Sequence, residues 1–275
     1  MPPSLSLGPL VIATDRLLAL LLITGFLLFA GWISRRTHAS AEQTGLLAVA
    51  LGLLAARAGY VICNWDAFRQ DYWSTLAVWQ GGFSVLAGVA TAVVAVTLLS
   101  WNSWRSGVLL GAAVAALSAV YLTAASSMTL PAKPLPPTIT LMSLDGRALP
   151  TGALRGQPAV INLWATWCPP CRREMPMLIE EAARSPVPVL LVNQGEGEAS
   201  VRAFLRAERL PGTAIRLNPT STVGAAAGSS ALPTTLFIDS AGQIRSIHAG
   251  EISRAALLSG IRDLASAERR LGAAR

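Results

Sequence analysis

Four apolar stretches fill the first half of the chain. Each approaches or exceeds the roughly 20 residues that a helix needs to cross a bilayer, and they lie at about residues 10–33, 44–63, 75–99 and 106–126. The first is not expected to be a secretory signal peptide, because MPPSLSLGPL carries no positive charge ahead of it. We therefore predict an all-α transmembrane bundle of four helices over residues 1–130.

Arginines in the short connections predict the orientation, because positively charged loops stay in the cytoplasm. Arg35 and Arg36 follow the first stretch and Arg105 lies in the third connection, so both connections are predicted to face inward. The second connection, NWDAFRQDYWS, is rich in Trp and Tyr and carries two aspartates, which favours the outer interface. An even number of helices then predicts a multi-pass bacterial inner-membrane protein with everything after residue 130 outside the cytoplasm.

The second half has a different pattern. The segment LPAKPLPPT contains four prolines and predicts an extended spacer over residues 131–137. Residues 138–275 then alternate apolar strands with helical stretches and close on a hairpin and a helix, which predicts an α/β domain with a central sheet. The chain has 22 Lys or Arg against 15 Asp or Glu, but these are scattered without aromatic interleaving, which argues against nucleic-acid binding.

Two of the three cysteines lie in WATWCPPCRREMP, residues 164–176. Cys168 falls where a buried strand is predicted to end and a helix to begin, near unpaired N–H groups and the positive end of the helix dipole. Such a position lowers the pKa of a thiol from about 8.5 into the range of roughly 3.5 to 7.5. Cys171 lies one turn later, within reach of a mixed disulfide at Cys168. The pair predicts thiol–disulfide exchange.

Glu174 follows Cys171 by three residues, on the same face of the predicted helix. A carboxyl there that is partly buried would have a raised pKa and could move protons to or from the cysteines. The alternative is a solvated surface glutamate.

Metal sites are weaker interpretations of the pair. A structural zinc site needs four ligands, and besides the cysteines the chain offers only His38 and His248. His248 lies in a predicted strand and is expected to be structural. Copper delivery by two thiolates stays an alternative, although no His or Met cluster accompanies them. We predict no bound metal and no cofactor.

The stretch VINLWATWCPPCRREMP, followed by VPVLLVNQGEGEASVRAFL and ALPTTLFIDSAGQI, resembles the TlpA and ResA type of thioredoxin-like proteins, which are membrane-tethered thiol–disulfide oxidoreductases. The resemblance covers about residues 135–265 and implies a thioredoxin-like fold. It implies that Cys168 is the nucleophile, Cys171 the resolving thiol and Glu174 the acid/base residue.

The same resemblance suggests further residues around the pair. Pro233 is implied to be a cis-proline facing the cysteines, which presents the Leu232 backbone to a peptide without a blocking N–H. Trp167, Leu232 and Pro233 are the expected substrate-binding residues. Glu196 is a candidate second acidic residue near the site.

The first half resembles the beginning of prolipoprotein diacylglyceryl transferase, over about residues 7–95. The resemblance is carried by LLAARAGYVICNWDAF and VWQGGFSVLAG. Leu86 stands where that family has a histidine and the later helices are absent, so transferase activity is not expected. Arg57 is expected to contact lipid headgroups or a polar cavity, or to snorkel, and Cys63 to be a small buried hydrophobe at a helix end.

These features predict a membrane-anchored, extracytoplasmic protein-disulfide reductase. Its expected partners are disulfide-bonded proteins, the lipid bilayer and a membrane electron donor that reduces it again, and cytochrome c maturation or oxidative-stress defence would suit such an enzyme. A disulfide-forming oxidase or isomerase and a copper–thiol metallochaperone are the alternatives.

Overall fold

The chain forms two compact units, one helical and one α/β. The computed structural model describes residues 4–7, 10–37, 40–70, 72–101, 103–127, 133–229 and 231–273. One unit is Thr14–Met128, and the other is Met1–Ala13 with Thr129–Arg275. The second unit includes a short hairpin of strands β1 (Ser4–Leu7) and β2 (Leu10–Ala13). The first predicted helix therefore begins at Thr14, four residues later than expected.

The helical unit contains three helices that are long and apolar enough to cross a membrane. These are α1 (Thr14–Thr37), α2 (Ala41–Cys63) and α5 (Trp104–Ser127); a short α3 (Trp65–Phe68) and α4 (Val85–Leu99) lie between them. Helix α4 has 15 residues, about 22 Å, and so falls short of the roughly 30 Å hydrocarbon core. The prediction of four full-length spanning helices is therefore not confirmed.

The apolar stretch over residues 75–99 is only partly helical, for a local reason. Its first part forms 3₁₀ turns at Tyr72–Leu76 and Val78–Gln80. Gly81 and Gly82 follow with φ of 79° and 83°, a left-handed conformation that glycine adopts readily and that interrupts a helix. Helix α4 can therefore begin only after Ser84, whose hydroxyl accepts a hydrogen bond from the Ala87 N–H.

Arg57 on α2 binds this non-helical segment. Its guanidinium donates hydrogen bonds to four backbone carbonyl oxygens, those of Ser74 at 2.7 Å, Thr75 at 2.9 Å, Gly81 at 2.6 Å and Gly82 at 3.0 Å. In a helix these carbonyl oxygens would accept hydrogen bonds from backbone N–H groups, whereas here one side chain supplies the donors. Non-helical backbone among membrane helices requires such substitute partners. Of the surroundings expected for Arg57, polar groups are the ones these contacts fit, and here they are carbonyls of its own chain. Snorkelling and contact with a lipid headgroup stay predictions.

Small residues bring α2 and α4 close together. A Cβ added at Gly52 would lie 3.1 Å from the carbonyl oxygen of Gly88, and one at Gly88 would lie 3.0 Å from the Ala56 Cβ. One at Gly59 would lie 2.9 Å from the Ala87 Cβ. Side chains of this size allow helix backbones to approach closely, which is the usual basis of helix association in a bilayer. Cys63, the last residue of α2, is exposed and not buried.

The α/β unit is built on one eight-stranded sheet in the order β3-β10-β9-β6-β7-β8-β4-β5. The central strands β6, β7 and β8 are parallel, and the other neighbours are antiparallel. The strands are β3 (Lys133–Pro134), β4 (Thr140–Ser143), β5 (Ala148–Pro150), β6 (Ala159–Trp164), β7 (Val189–Gln194), β8 (Ile215–Asn218), β9 (Thr234–Ile238) and β10 (Gln243–Ala249). This confirms the predicted α/β domain with its closing hairpin.

Helices cover both faces of the sheet. They are α6 (Pro169–Arg184), α7 (Glu198–Ala207), α8 (Thr222–Ala227) and α9 (Arg254–Ala273). One apolar core contains residues of α6, α7 and α9 against the sheet, and a second contains residues of α8 on the opposite face. Strands β6, β7 and β9 are buried along their whole length, which explains their nearly continuous apolar sequences.

Part of the predicted spacer belongs to the sheet. Lys133 and Pro134 form β3, which pairs with the outer edge of β10. Leu135 is buried, and its N–H donates to the Gly242 carbonyl oxygen at 2.9 Å. Residues 133–135 are therefore fixed rather than extended into solvent, whereas the domain boundaries at 130 and 137 stay a prediction.

Replacing Arg57 by Leu is expected to destabilise the helical unit. The change would leave four backbone carbonyls without their donor, and hydrogen bonds from a charged group contribute about 1.5 to 3 kcal/mol each. We expect the unfolding free energy of the full chain in detergent, followed by circular dichroism, to fall by at least about 3 kcal/mol.

Arg69→Leu is the matched control, because among the residues that the structure describes the ion pair of Arg69 is with an exposed Asp66. It is expected to cost less than about 1 kcal/mol. Equal losses in the two variants would show that the carbonyl contacts of Arg57 do not stabilise the unit.

Candidate active site

The two cysteines lie at the start of α6, just after the loop that follows β6. Cys168 is the N-cap of α6, with an extended backbone, and Pro169 occupies the first helical position, where its missing N–H costs nothing. Cys168 and Cys171 form a disulfide with Cα atoms 5.3 Å apart. The Cys168 sulfur also accepts a hydrogen bond from the Cys171 N–H at 3.3 Å. The predicted strand-to-helix junction at Cys168 is therefore confirmed.

The start of α6 is electrostatically suited to a negative sulfur. The helix has no acidic residue in its first turn, and its unpaired N–H groups and dipole favour negative charge there. Arg172 and Arg173 follow directly, paired with Glu208 at 2.5 Å and Glu251 at 2.6 Å. These features stabilise a thiolate at Cys168 once the disulfide is reduced.

Glu174 is buried beneath the helix, one turn after Cys171. Only 3% of its surface is exposed. Its Oε1 accepts from the Asn162 Nδ2 at 2.8 Å and its Oε2 from the Ile252 N–H at 2.7 Å. Burial raises the pKa of Glu174 to about 8, and the two hydrogen bonds offset only part of that effect. The solvated alternative is wrong, and the carboxyl holds a proton at neutral pH.

Glu196 fixes the loop that precedes Cys168. Its two carboxylate oxygens accept hydrogen bonds from the Thr166 N–H at 2.7 Å, the Thr166 hydroxyl and the Asn193 Nδ2 at 2.7 Å. Glu196 therefore joins Thr166, in the loop that leads to Cys168, to Asn193 of β7. Asn193 precedes Glu196 by three residues at the end of β7, and sequence reasoning missed both it and Thr166.

A pocket of about 620 Å³ lies beside the disulfide loop. Trp167 and Leu232 both line it, so the structure brings these two expected substrate-binding residues together. Trp167 is 69% exposed, which is unusual for so large an aromatic side chain. The Leu232–Pro233 peptide bond is cis, as the resemblance implied, and the Pro233 carbonyl accepts from the Gly250 N–H at 2.8 Å.

Comparison with known proteins identifies the family of the second half. Residues 133–247 match the AhpC/TSA family model. The chain is 37% identical over 120 residues to a thiol:disulfide interchange protein DsbE homolog of Paracoccus denitrificans, covering 43% of this chain and 66% of that protein. It is 36% identical over 122 residues to the thiol-disulfide oxidoreductase ResA of Geobacillus thermodenitrificans, covering 43% and 69%. The chain belongs to the ResA/DsbE-type thiol–disulfide oxidoreductases.

The chain is similar to known proteins in two further respects, one in its first half and one among solved structures. Residues 3–127 match the prolipoprotein diacylglyceryl transferase family model, in line with the resemblance of the first half. Among solved structures, MTB dsbF in its mixed oxidized and reduced forms has 27% sequence identity and a TM-score of 0.43, covering 48% of this chain and 98% of that chain.

Of the two histidines considered as metal ligands, the structure describes His248. His248 is on β10, with Nε2 3.3 Å from the Glu251 carbonyl oxygen. His38 lies outside the described residues. Within those residues, no group of three or more His, Cys, Asp or Glu side chains is arranged to hold a metal ion.

The pKa of Glu174 predicts how the stability of the oxidised enzyme depends on pH. The folded state holds the proton up to about pH 8, whereas the unfolded chain releases it near 4.5. Protonated Glu174 therefore contributes its full stabilisation below pH 4.5. As the pH rises to about 8, the unfolding free energy falls by up to about 5 kcal/mol because this contribution is lost. We expect urea unfolding to show this loss in the wild type.

The variant Glu174→Gln cannot ionise, so its unfolding free energy is expected to fall less between pH 5 and pH 8.5. Glu198→Gln, which breaks an exposed pair with Arg202, is the charge-matched control and should follow the wild type. Parallel curves for wild type and Glu174→Gln would contradict the raised pKa.

Proposed function

We propose that this oxidoreductase reduces disulfide bonds in proteins outside the cytoplasm while its helical half anchors it in the membrane. The observation that carries the proposal is the position of the Cys168–Cys171 disulfide at the start of α6, one turn ahead of the buried, protonated Glu174. This arrangement supplies a nucleophile, a resolving thiol and a proton-transfer group within one helix.

In the proposed reaction the reduced Cys168 attacks first. Its thiolate forms a bond with one sulfur of the substrate disulfide, and the other substrate sulfur leaves as a thiolate that takes a proton from solvent. Helix α6 stabilises the negative sulfur before the attack through its N-terminal N–H groups. The product of this step is a mixed disulfide between Cys168 and the substrate.

Cys171 then resolves the mixed disulfide. This step needs Glu174 to have released its proton to solvent first. The Cys171 thiol then gives its proton to the Glu174 carboxylate, and the resulting thiolate attacks the Cys168 sulfur. The second substrate sulfur leaves as a thiolate and takes a proton from solvent. A pKa of about 8 at Glu174 lies close to that of an ordinary thiol, so the proton transfer is nearly balanced in free energy. Two electrons have moved to the substrate, and the enzyme ends as the disulfide with Glu174 protonated.

The pocket beside the disulfide is the proposed place for the substrate segment. Trp167 supplies an exposed apolar face, and Leu232 lies on the same pocket. Together with Pro233 they would hold an extended peptide so that its disulfide meets Cys168. After each turnover the enzyme must be reduced again by a dithiol donor in the membrane.

The ends of α1 and α4 support an extracytoplasmic position for the catalytic domain. Trp32, Arg35 and Arg36 lie at the end of α1, and exposed Trp101 and Trp104 follow α4 just before Arg105. Tryptophans mark a membrane interface, and arginines in short connections mark the cytoplasmic one. If α4 did not cross, Arg105 would lie on the side opposite to Arg35. We therefore infer that α4 completes a fourth crossing together with residues 72–84.

Cysteine variants test the reaction. Cys168→Ser in the full chain in detergent is expected to abolish insulin reduction, because it removes the thiol that attacks the substrate disulfide. Cys171→Ser should instead accumulate a mixed disulfide with insulin, visible by mass on a non-reducing gel. Cys63→Ser is the control and should retain full activity; undiminished activity of Cys168→Ser would rule out the mechanism.

Trapping of thiols in intact cells tests both direction and topology. A membrane-impermeant thiol reagent, added after the outer permeability barrier is opened, is expected to label Cys168 and Cys171 directly, because a reductase is kept reduced by its donor. Labelling only after an added reductant would point to a disulfide-forming enzyme. Labelling only after lysis would place the pair in the cytoplasm.

A further inference from the structure

A second concave surface lies in the α/β unit, between the β4–β5 hairpin, the end of α7 and the start of β8. Its volume is about 890 Å³. Five arginines line it and only one acidic residue, Asp145, does so. We call it the arginine pocket, and its arginines are Arg147, Arg202, Arg206, Arg209 and Arg216.

The positive charge of the arginine pocket is only partly compensated. Arg147 pairs with Asp145 at 2.5 Å, and Arg202 pairs with Glu198 at 2.6 Å. Arg206 and Arg209 form no ion pair with any residue that the structure describes. Guanidinium groups gathered in one concavity repel each other, so a bound anion would stabilise the arrangement.

Arg216 binds backbone carbonyls next to the pocket. Its Nη1 donates to the carbonyl oxygens of Thr213 at 2.9 Å and Ile215 at 2.8 Å. Its Nε is buried and has no acceptor among the described residues. Burial lowers the pKa of Arg216, and the nearby charge of Arg147 lowers it further against the opposing effect of Asp145. Keeping Arg216 charged therefore has a cost that an anion in the pocket would reduce.

Leucines also line the arginine pocket. Its walls include Leu144, Leu149, Leu205 and Leu210. A single phosphate needs two or three guanidinium donors and would leave these leucines uncovered. An extended peptide with alternating acidic and apolar side chains could place carboxylates on the arginines and cover the leucines.

The sheet edge at the pocket suits an extended partner. Strand β5 is the last strand in the sheet order, and its residues Ala148 and Leu149 line the pocket. Edge strands offer unpaired backbone groups to extended peptides.

We propose that the arginine pocket binds an acidic segment of a protein partner, separately from the disulfide site. Only the choice of a protein as the partner rests on the proposed function. Because an exposed charge pair contributes modestly and is screened by salt, the binding is expected to weaken as ionic strength rises.

The test measures binding of a fluorescent eight-residue peptide of alternating Glu and Leu to the full chain in phosphatidylcholine nanodiscs, by anisotropy at low salt. Arg206→Gln with Arg209→Gln is expected to weaken binding about tenfold, at roughly 0.7 kcal/mol for each lost charge contact. The control, Arg184→Gln with Arg262→Gln, has the same net charge but lies outside the pocket, and should change the affinity less than twofold.

Two further measurements complete the test: the arginine variants are repeated in a Cys168→Ser chain, and small phosphate compounds are added as competitors of the peptide. The same tenfold loss in a Cys168→Ser background would show that the pocket works independently of the redox reaction, so failure of the proposed function would not affect it. Equal losses in both arginine pairs, or equal binding of a Gln–Leu peptide, would overturn the proposal. Displacement of the peptide by inorganic phosphate or glycerophosphoglycerol at concentrations that leave ionic strength unchanged would assign the pocket to phosphate or a lipid headgroup instead.

Discussion

The buried carboxyl of Glu174 joins the helix that carries the cysteines to the rest of the catalytic domain. Through Asn162 it is linked to β6 and, by the Asn162 contact with the Thr235 hydroxyl at 3.1 Å, to β9. Through the Ile252 N–H at 2.7 Å it is linked to the segment before α9. One side chain thus fixes α6 relative to three neighbouring elements. Any movement of α6 relative to the sheet must therefore disturb the hydrogen bonds of Glu174.

Two acidic residues close to the disulfide have different tasks because their surroundings differ. Glu196 accepts three hydrogen bonds from Thr166 and Asn193 and holds the loop that leads into Cys168. Glu174 has two donors and almost no contact with solvent, so burial outweighs its hydrogen bonds and raises its pKa. A carboxylate rich in donors positions a loop, whereas a carboxyl short of donors retains a proton that it can give or take.

Local pattern determined what could be predicted from the sequence. The strands and α6 were predictable because apolar runs and the start of a helix at Cys168 depend on neighbours in the sequence. The short α4 was not predicted: Gly81 and Gly82 are a local signal for the break before it, but the contacts of Arg57 with the carbonyls of that segment are tertiary. The same holds for β3, which pairs with a strand about 110 residues later, and for the contact of Glu196 with Thr166, 30 residues away. The identities of both acidic residues were predictable, but their hydrogen-bond partners were not.

Arg57 and Glu174 show two solutions to the burial of an ionisable group. A guanidinium stays charged in proteins, so the energetic cost of burying Arg57 must be offset by acceptors, and four carbonyl oxygens provide them. A carboxyl can become neutral instead, so Glu174 needs fewer partners and keeps a proton that solvent does not readily remove. The first solution can only hold a structure together, because the charge never changes. The second can also serve in a reaction, because a carboxyl with a pKa of about 8 can gain or lose its proton near neutral pH.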